Sequence, residues 1–282
     1  MIAFVEQAVT REPDQEALLR EVRDWNAGQY TGRYTNPDDL RDAVTAAVHQ
    51  LEISKATGRV DEMEMLERAR QYIPSERQTR ESTRLYLIVA GGPRQQVLRP
   101  ADIESQDLGD KITDKAFSRD VGFFSRRSGT EPRVENNALI LEQEHASILL
   151  DEMGTVRLMV SPEGRQSAYS GKLLPFHGLV EEDVHQETHR MLQFAGWILD
   201  EIDPLRRLAD VAAILVFTHS GYPSWRTRAE YEKAGNSWTS QSRPNPLIVQ
   251  PTVTSRKRGA LLFDTERWVE DLTVLLRRAI RG

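Results

Sequence analysis

Aromatic and basic side chains alternate with small polar residues between His219 and Arg243. Aromatic faces can stack on bases or other planar ligands, while arginine and lysine can contact phosphate oxygens. The segment also lies between two predicted strands, where binding loops are common. It therefore predicts a ligand-binding segment, whose candidate ligand-binding residues are Tyr222, Trp225, Arg226, Arg228 and Trp238. The alternative is a long connecting loop that is packed by its own aromatic side chains.

Histidine and carboxylate side chains are densest in a predicted helix near residue 185. His185 and His189 are one helical turn apart with Glu182 on the same arc, a spacing that can present two imidazoles to one metal ion. The motif is not H-E-x-x-H, because Gln186 follows His185. These residues also border the apolar stripe of the helix. A position at the edge of that stripe is favoured over metal binding, and no metal site is assigned.

Other motifs that could bind a cofactor or perform catalysis are incomplete. Gly91-Gly92-Pro93-Arg94 follows a predicted strand, where a phosphate loop would lie, but it lacks the G-x-x-x-x-G-K-S/T order, and proline removes one amide donor. A plain turn is predicted there. The absence of cysteine excludes disulfides, thiolate metal sites and a cysteine nucleophile. No catalytic residue and no cofactor are assigned.

The charge of the 282-residue chain is unevenly distributed. The net charge is −6, but from His219 onward eleven Lys and Arg stand against six Asp and Glu, which gives about +5 there and about −11 before it. A solvated surface is favoured, and a surface that faces nucleic acid or another anion is the alternative. Because no apolar run approaches the roughly 18 residues of a membrane helix, a cytoplasmic protein without membrane contact is expected.

The first 53 residues predict a unit of strand, helix, short strand and helix. Residues 1–6 are typical of a buried strand, and a helix is expected from Pro13, because proline suits the first helical turn. A short strand is expected within 29–34. The second helix has a complete start signal, with Asn36 as the cap, proline next and two aspartates in the first turn.

Three stretches of this unit resemble a known domain family. Residues 4–6 (F-V-E), 11–25 (R-E-P-D-Q-E-A-L-L-R-E-V-R-D-W) and 34–44 (Y-T-N-P-D-D-L-R-D-A-V) are similar to an uncharacterised bacterial family related to TIR and deoxyribosyltransferase-like flavodoxin folds. That family is usually the N-terminal module of multidomain proteins with NTPase, effector or defence modules. The resemblance covers residues 1 to about 53.

The resemblance implies the last strand and the last two helices of such a domain. The parts that build the substrate pocket in TIR-like enzymes would precede Met1, so no catalytic residue is carried over. A sheet of one or two strands cannot bury both of its faces. This incomplete flavodoxin/TIR-like piece is therefore expected to pack on another domain, to pack on a partner chain, or to be incompletely stable. Residues 83–282 resemble no recognised family.

Residues 54–82 are nearly all polar and predict a helical connector. Residues 83–282 predict an α+β domain, with a mixed or antiparallel sheet and helices on one face. Strands are expected at 85–90, 138–142, 147–151, 156–160, 212–218, 247–253 and 260–263, and helices at 180–202 and 265–280. The run Arg256-Lys257-Arg258 predicts a charged hairpin turn.

Two functions from different classes fit these patterns. The favoured hypothesis is a non-catalytic protein that senses or binds a ligand or partner, linked through the resemblance to bacterial defence or signalling. The alternative is an enzyme acting on a nucleotide or nucleic acid, of hydrolase or NAD-cleaving type, with His219, Arg226 and Arg228 near phosphate. A protein partner or a homo-oligomer is expected, with a nucleotide or single-stranded nucleic acid as the other candidate partner.

Overall fold

The computed structural model describes residues 3–6, 12–15, 31–57, 60–75, 83–161, 178–219, 223–233, 242–252 and 255–282. The strands are β1 (Ala3–Glu6), β2 (Thr31–Tyr34), β3 (Arg84–Gly92), β4 (Arg133–Glu135), β5 (Ala138–Gln143), β6 (Ala146–Asp151), β7 (Val156–Val160), β8 (Gly178–Val180), β9 (Asp210–Thr218), β10 (Ser224–Arg226), β11 (Leu247–Val249) and β12 (Ser255–Lys257). The helices are α1 (Pro37–Thr57), α2 (Glu62–Gln71), α3 (Pro100–Ile103), α4 (Gln106–Phe117), α5 (Glu181–Ile202), α6 (Arg228–Lys233), α7 (Ala260–Phe263) and α8 (Thr265–Arg281).

Eight of these strands form one antiparallel sheet. Its order is β11-β9-β3-β7-β6-β5-β4, and β12 pairs with β9 beside β11. The longest pair is β3 and β9, which is matched from Arg84↔Thr218 to Gly92↔Asp210. Strands β5, β6 and β7 follow one another as hairpins, which short connections allow in an antiparallel sheet. The sheet and its helices confirm the predicted α+β class.

The first face of the sheet carries the main hydrophobic core. Successive side chains of a strand point to opposite faces, so Leu85, Leu87 and Val89 of β3 lie on this face and are fully buried. Helices α4, α5 and α8 cover it with apolar residues spaced three or four apart, such as Met191 and Ala195 of α5. Full burial of a Leu or Val side chain contributes roughly 1.5–3 kcal/mol, which makes this layer the main source of stability.

The second face is covered beside β3 and β9 by α2. The buried side of this helix, Met65, Leu66 and Ala69, packs on residues of both strands. The helices predicted at 180–202 and 265–280 lie on the first face, and α2 adds a helix on the second face from outside residues 83–282. Helix α2 belongs to the stretch 54–82, for which the sequence predicts a connector, and the division into 1–53, 54–82 and 83–282 stays a prediction.

Two small parallel sheets accompany the main one. Strands β1 and β2 pair from Ala3↔Thr31 to Glu6↔Tyr34 and precede α1. The Asn36 Oδ1 atom accepts the Asp39 amide at 2.9 Å, which confirms the predicted helix cap. The TIR-like assignment of this unit stays a prediction. The other pair, β8 and β10, brings the chain that follows β9 to the start of α5.

Three expectations for the C-terminal part are wrong. Residues 260–263 form helix α7 rather than a strand, because Leu261 enters the core and Leu262 packs against Gly196 of α5. A short apolar run has no periodicity that separates a strand from a buried helical turn. Arg256 and its successor lie in strand β12 rather than in a hairpin turn. The strand expected at 247–253 ends at Val249.

Helix α4 was not predicted, although its sequence carries a signal. Leu108, Ile112 and Ala116 recur every four residues behind Ser105 at the cap position. Among the described residues, none of the helices combines the length and the apolar character that crossing a membrane requires.

Candidate binding segment

The two ends of the 219–243 segment are joined by one side chain. Asn245 accepts the His219 amide at its Oδ1 (3.3 Å) and donates from Nδ2 to the His219 carbonyl oxygen (2.6 Å). The Asn245 side chain thus forms the two hydrogen bonds to the His219 backbone that a residue of a paired strand would form. The His219 Nε2 atom lies 3.2 Å from the Pro244 carbonyl oxygen, which can only accept, so Nε2 is the donor. His219 is buried and stacks on Phe217.

Trp225 lies in strand β10 and is buried in the main core rather than exposed. Its indole Nε1–H donates to Glu181 Oε2 at 2.7 Å, and the other oxygen of this carboxylate accepts from Arg277 Nη1 of α8 at 3.0 Å. Glu181 thereby links β10, α5 and α8. In this position the indole ring offers no open face for stacking on a base.

Arg228 begins helix α6 and is bound to the first turn of α5. Its backbone amide donates to Glu182 Oε2 at 2.8 Å, and its guanidinium group forms an ion pair with Asp183. Arg226 is half-buried in β10, two residues earlier. Tyr222 and Trp238, the remaining predicted ligand-binding residues, lie outside the described residues.

Helix α8 holds the segment at two further points. The Arg243 Nε atom donates to the Ile280 carbonyl oxygen at 2.8 Å, which satisfies a free carbonyl at the end of α8. Arg281 Nη2 lies 3.4 Å from Glu230 Oε2 of α6. Glu230 also accepts the Thr227 amide at 2.8 Å, and this hydrogen bond is the main reason why the pKa of Glu230 is lowered.

The basic excess of the C-terminal part is largely paired in the folded chain. Six of the eleven Lys and Arg from His219 onward lie within ion-pair distance of a carboxylate in the described part of the chain. The pairs are Arg228–Asp183, Arg256–Asp271, Lys257–Asp210, Arg258–Asp203, Arg277–Glu181 and Arg281–Glu230. Four of the six carboxylates precede His219, so the two oppositely charged parts of the chain neutralise each other.

The anchoring residues Glu181, Glu182, Asp183 and Asn245 were not predicted as part of this segment. In the sequence, the three acidic residues belong to the histidine and carboxylate cluster near residue 185, for which metal binding is the alternative. Nothing local predicts that their partners lie more than 40 residues away.

The His185–His189 pair lies at the boundary between α5 and α8. Glu266 of α8 is near both rings, with its Oε1 at 3.2 Å from His189 Nε2 and its Oε2 at 3.6 Å from His185 Nε2. Within the described ranges, no group of three His, Asp or Glu side chains is arranged to hold a metal ion.

Gly91 and Gly92 lie inside β3, and the turn predicted there begins only after the strand. A Cβ atom on Gly91 would stand 2.8 Å from Leu208 Cδ1, and one on Gly92 would stand 2.5 Å from Met65 Sδ. The Gly91 carbonyl oxygen accepts from Arg68. The glycines therefore allow close packing of neighbouring side chains.

Comparisons with models of protein families and with curated proteins found no match for this chain.

Proposed function

We propose that the chain is a non-catalytic binding protein that recognises a protein partner or a ligand through the 219–243 segment. One observation carries the proposal: the ends of the segment are joined through Asn245, and its described interior is bonded to α5 and α8. Loops that bind partners are commonly held by a rigid scaffold. Holding them in place in advance reduces the entropy that is lost on binding.

The charge pairing favours a protein partner, including a second copy of the chain, over single-stranded nucleic acid. A polyanion would have to compete with carboxylates for Arg228 and for most of the other paired groups. The resemblance of the first 53 residues to modules of defence proteins supports a signalling or defence role in the cytoplasm.

The proposal is tested by partner capture with two charge-reversal variants. Lys233→Glu changes an exposed residue at the end of α6, whereas Arg267→Glu changes an exposed residue of α8 and serves as the matched control. We expect a partner that the wild type and Arg267→Glu retain and that Lys233→Glu loses at least tenfold. A partner retained equally by both variants would bind elsewhere and would contradict the role of the segment.

The enzyme alternative is tested on the same preparations. We expect no turnover of NAD, ATP or GTP above background by the wild-type chain. Turnover that is present in the wild type and lost in Arg226→Ala would overturn the non-catalytic assignment. His219 is buried, and its Nε2 atom already donates to the Pro244 carbonyl oxygen, so it does not support a role near phosphate.

A further inference from the structure

Strand β4 is the last strand of the main sheet and has a neighbouring strand on one side only. Among the described residues, it pairs with β5 and with no other strand. All of its residues, Arg133, Val134 and Glu135, are exposed, and the apolar Val134 is 44% exposed. An open strand edge presents unpaired backbone donors and acceptors that another strand can bind. The edge formed by β4 is therefore an open interaction surface.

The two ends of β4 are held by neighbouring elements. Before the strand, Pro132 packs on α4, where a Cβ atom added to Gly109 would lie 2.9 Å from the proline Cγ atom. After the strand, Asn136 and Asn137 have φ angles of 51° and 61° and return the chain to β5. Positive φ at both central positions is typical of the type I′ turn of a two-residue hairpin. The edge strand is thus held in position before any partner binds, which reduces the entropy lost on pairing.

The hairpin geometry determines which backbone groups of β4 point to the open edge. The residues that flank a two-residue turn form a hydrogen-bonded pair, so Glu135 bonds to Ala138 of β5. Hydrogen-bonded and non-bonded pairs alternate along an antiparallel ladder, so the next pair, Val134 and Leu139, is non-bonded. The amide and the carbonyl group of Val134 therefore point away from β5, toward the open edge.

We propose that β4 binds the β4 strand of a second copy of this chain, antiparallel and with a two-fold axis at Val134. The Val134 amide of each copy then donates to the Val134 carbonyl oxygen of the other. This alignment places Arg133 of each copy opposite Glu135 of the other, in non-bonded pairs, where facing side chains are closest. Charged side chains often protect a strand edge from a further strand, but these opposite charges attract one.

The present contacts of Arg133 allow this exchange of partners. Its Nη2 atom lies 2.9 Å from Glu142 Oε2, and its Nε atom lies 3.9 Å from Glu135 Oε2 of the same strand. These side chains are about half exposed, and ion pairs between exposed side chains contribute little to stability. Val134 lies opposite the buried Leu139 and faces the same side of the sheet. In the dimer, the two Val134 side chains meet at the edge of the main core.

The association is expected to be weak and to stop at two copies. Pro132 has no amide to donate, and the turn at Asn136 ends the strand, so the contact is limited to the three residues of β4. Interfaces smaller than about 1,200 Å² are typical of weak or transient complexes. Because both copies use the same edge, the dimer is closed and does not extend into a filament.

This surface is separate from the 219–243 segment. Strand β11, which follows that segment in the chain, lies at the opposite end of the sheet order from β4. A second copy at β4 therefore leaves the 219–243 segment free for its own partner.

Sedimentation equilibrium over a range of protein concentrations tests the proposal. We expect a reversible monomer–dimer equilibrium, and a dimer at least tenfold weaker in Arg133→Glu, where like charges face each other. The double variant Arg133→Glu/Glu135→Arg restores opposite charges and should recover the dimer. Arg127→Glu makes the same charge change at an exposed residue outside the strand and should leave the equilibrium unchanged. A monomer at every concentration, or no recovery in the double variant, would overturn the proposal.

Val134→Pro tests the backbone pairing itself. Proline removes the outward amide, whereas the hydrogen bonds of Arg133 and Glu135 to β5 do not use that amide. We expect this variant to be folded by circular dichroism and to be monomeric. Lys233→Glu, which changes the 219–243 segment, should dimerise like the wild type. A dimer that Val134→Pro retains, or that Lys233→Glu loses, would place the second copy on another surface and would contradict the role of β4.

Discussion

Arg258 shows how a single buried charge can join separate parts of this fold. It is 5% exposed and lies after β12, and its Nη1 donates to Asp203 Oδ2 at 2.9 Å. Its Nη2 donates to the Leu199 carbonyl oxygen at 2.7 Å, near the end of α5. Asp203 is fully buried and also accepts the Leu208 amide at 2.8 Å. The C-terminal end of α5 is therefore fixed to the edge of the sheet.

We expect Arg258→Ala to lower the free energy of unfolding by about 3 kcal/mol, because the fully buried Asp203 would lose its buried arginine partner and keep the more exposed Arg207. Urea denaturation followed by circular dichroism measures the change. Arg267→Ala, which truncates an exposed arginine of α8, should change stability by no more than about 0.5 kcal/mol. Equal effects of the two substitutions would show that the buried pair adds nothing to stability.

The turn between β6 and β7 shows how one element depends on a backbone conformation. The Asp151 Oδ1 atom accepts the amides of Met153 (2.9 Å) and Thr155 (2.7 Å), which closes the turn. Gly154 has a φ of +74°, in the left-handed region. A Cβ atom there would lie 2.6 Å from Leu208 Cδ1, in the core.

Gly154→Ala should destabilise the protein by about 2 kcal/mol, since it combines an unfavourable φ with overpacking of Leu208. Gly129→Ala is the matched control, because a Cβ atom on Gly129 meets nothing within 4 Å and its φ is not in the left-handed region. Thermal unfolding of both variants gives the comparison. A melting temperature that falls equally in both would refute the turn argument.

The sequence predicts elements best where an apolar pattern runs over many residues. β3, β9 and the hairpins from β5 to β7 agree with the expected ranges to within two residues at each end. Strands β8 and β10 have three residues each and pair with each other although they lie far apart in the sequence. No local pattern therefore marks them. Residues 260–263 are predicted as a strand but form helix α7, because a run of four apolar residues suits either structure.

The ligand-binding role of the candidate segment stays a prediction. Trp225 and Arg228 do come together in the structure, but they do so on the acidic start of α5. Composition alone predicts that the aromatic and basic side chains of the 219–243 segment form an exposed surface. It cannot show that Trp225 is buried or that Arg228 is paired with Asp183, because both outcomes depend on long-range contacts.

At the scale of the whole molecule, α2 decides how far the sheet domain extends along the chain. Its Arg68 donates from Nη1 to the Met153 carbonyl oxygen at 3.2 Å and also bonds to Gly91, so it joins the turn after β6 to the end of β3. Tyr72, just after α2, donates to Asp151 of β6. These contacts and the apolar side of α2 make residues 60–75 part of the layer on the second face.

Leu66→Ala and Met63→Ala test whether α2 stabilises the sheet. Leu66 is 1% exposed against the second face, whereas Met63 on the same helix is 58% exposed. We expect Leu66→Ala to lower the free energy of unfolding by about 2–5 kcal/mol and Met63→Ala to have little effect. Hydrogen exchange of β3 amides should accelerate in Leu66→Ala only. If α2 were a connector independent of the sheet, exchange in β3 would stay at the wild-type rate in both variants.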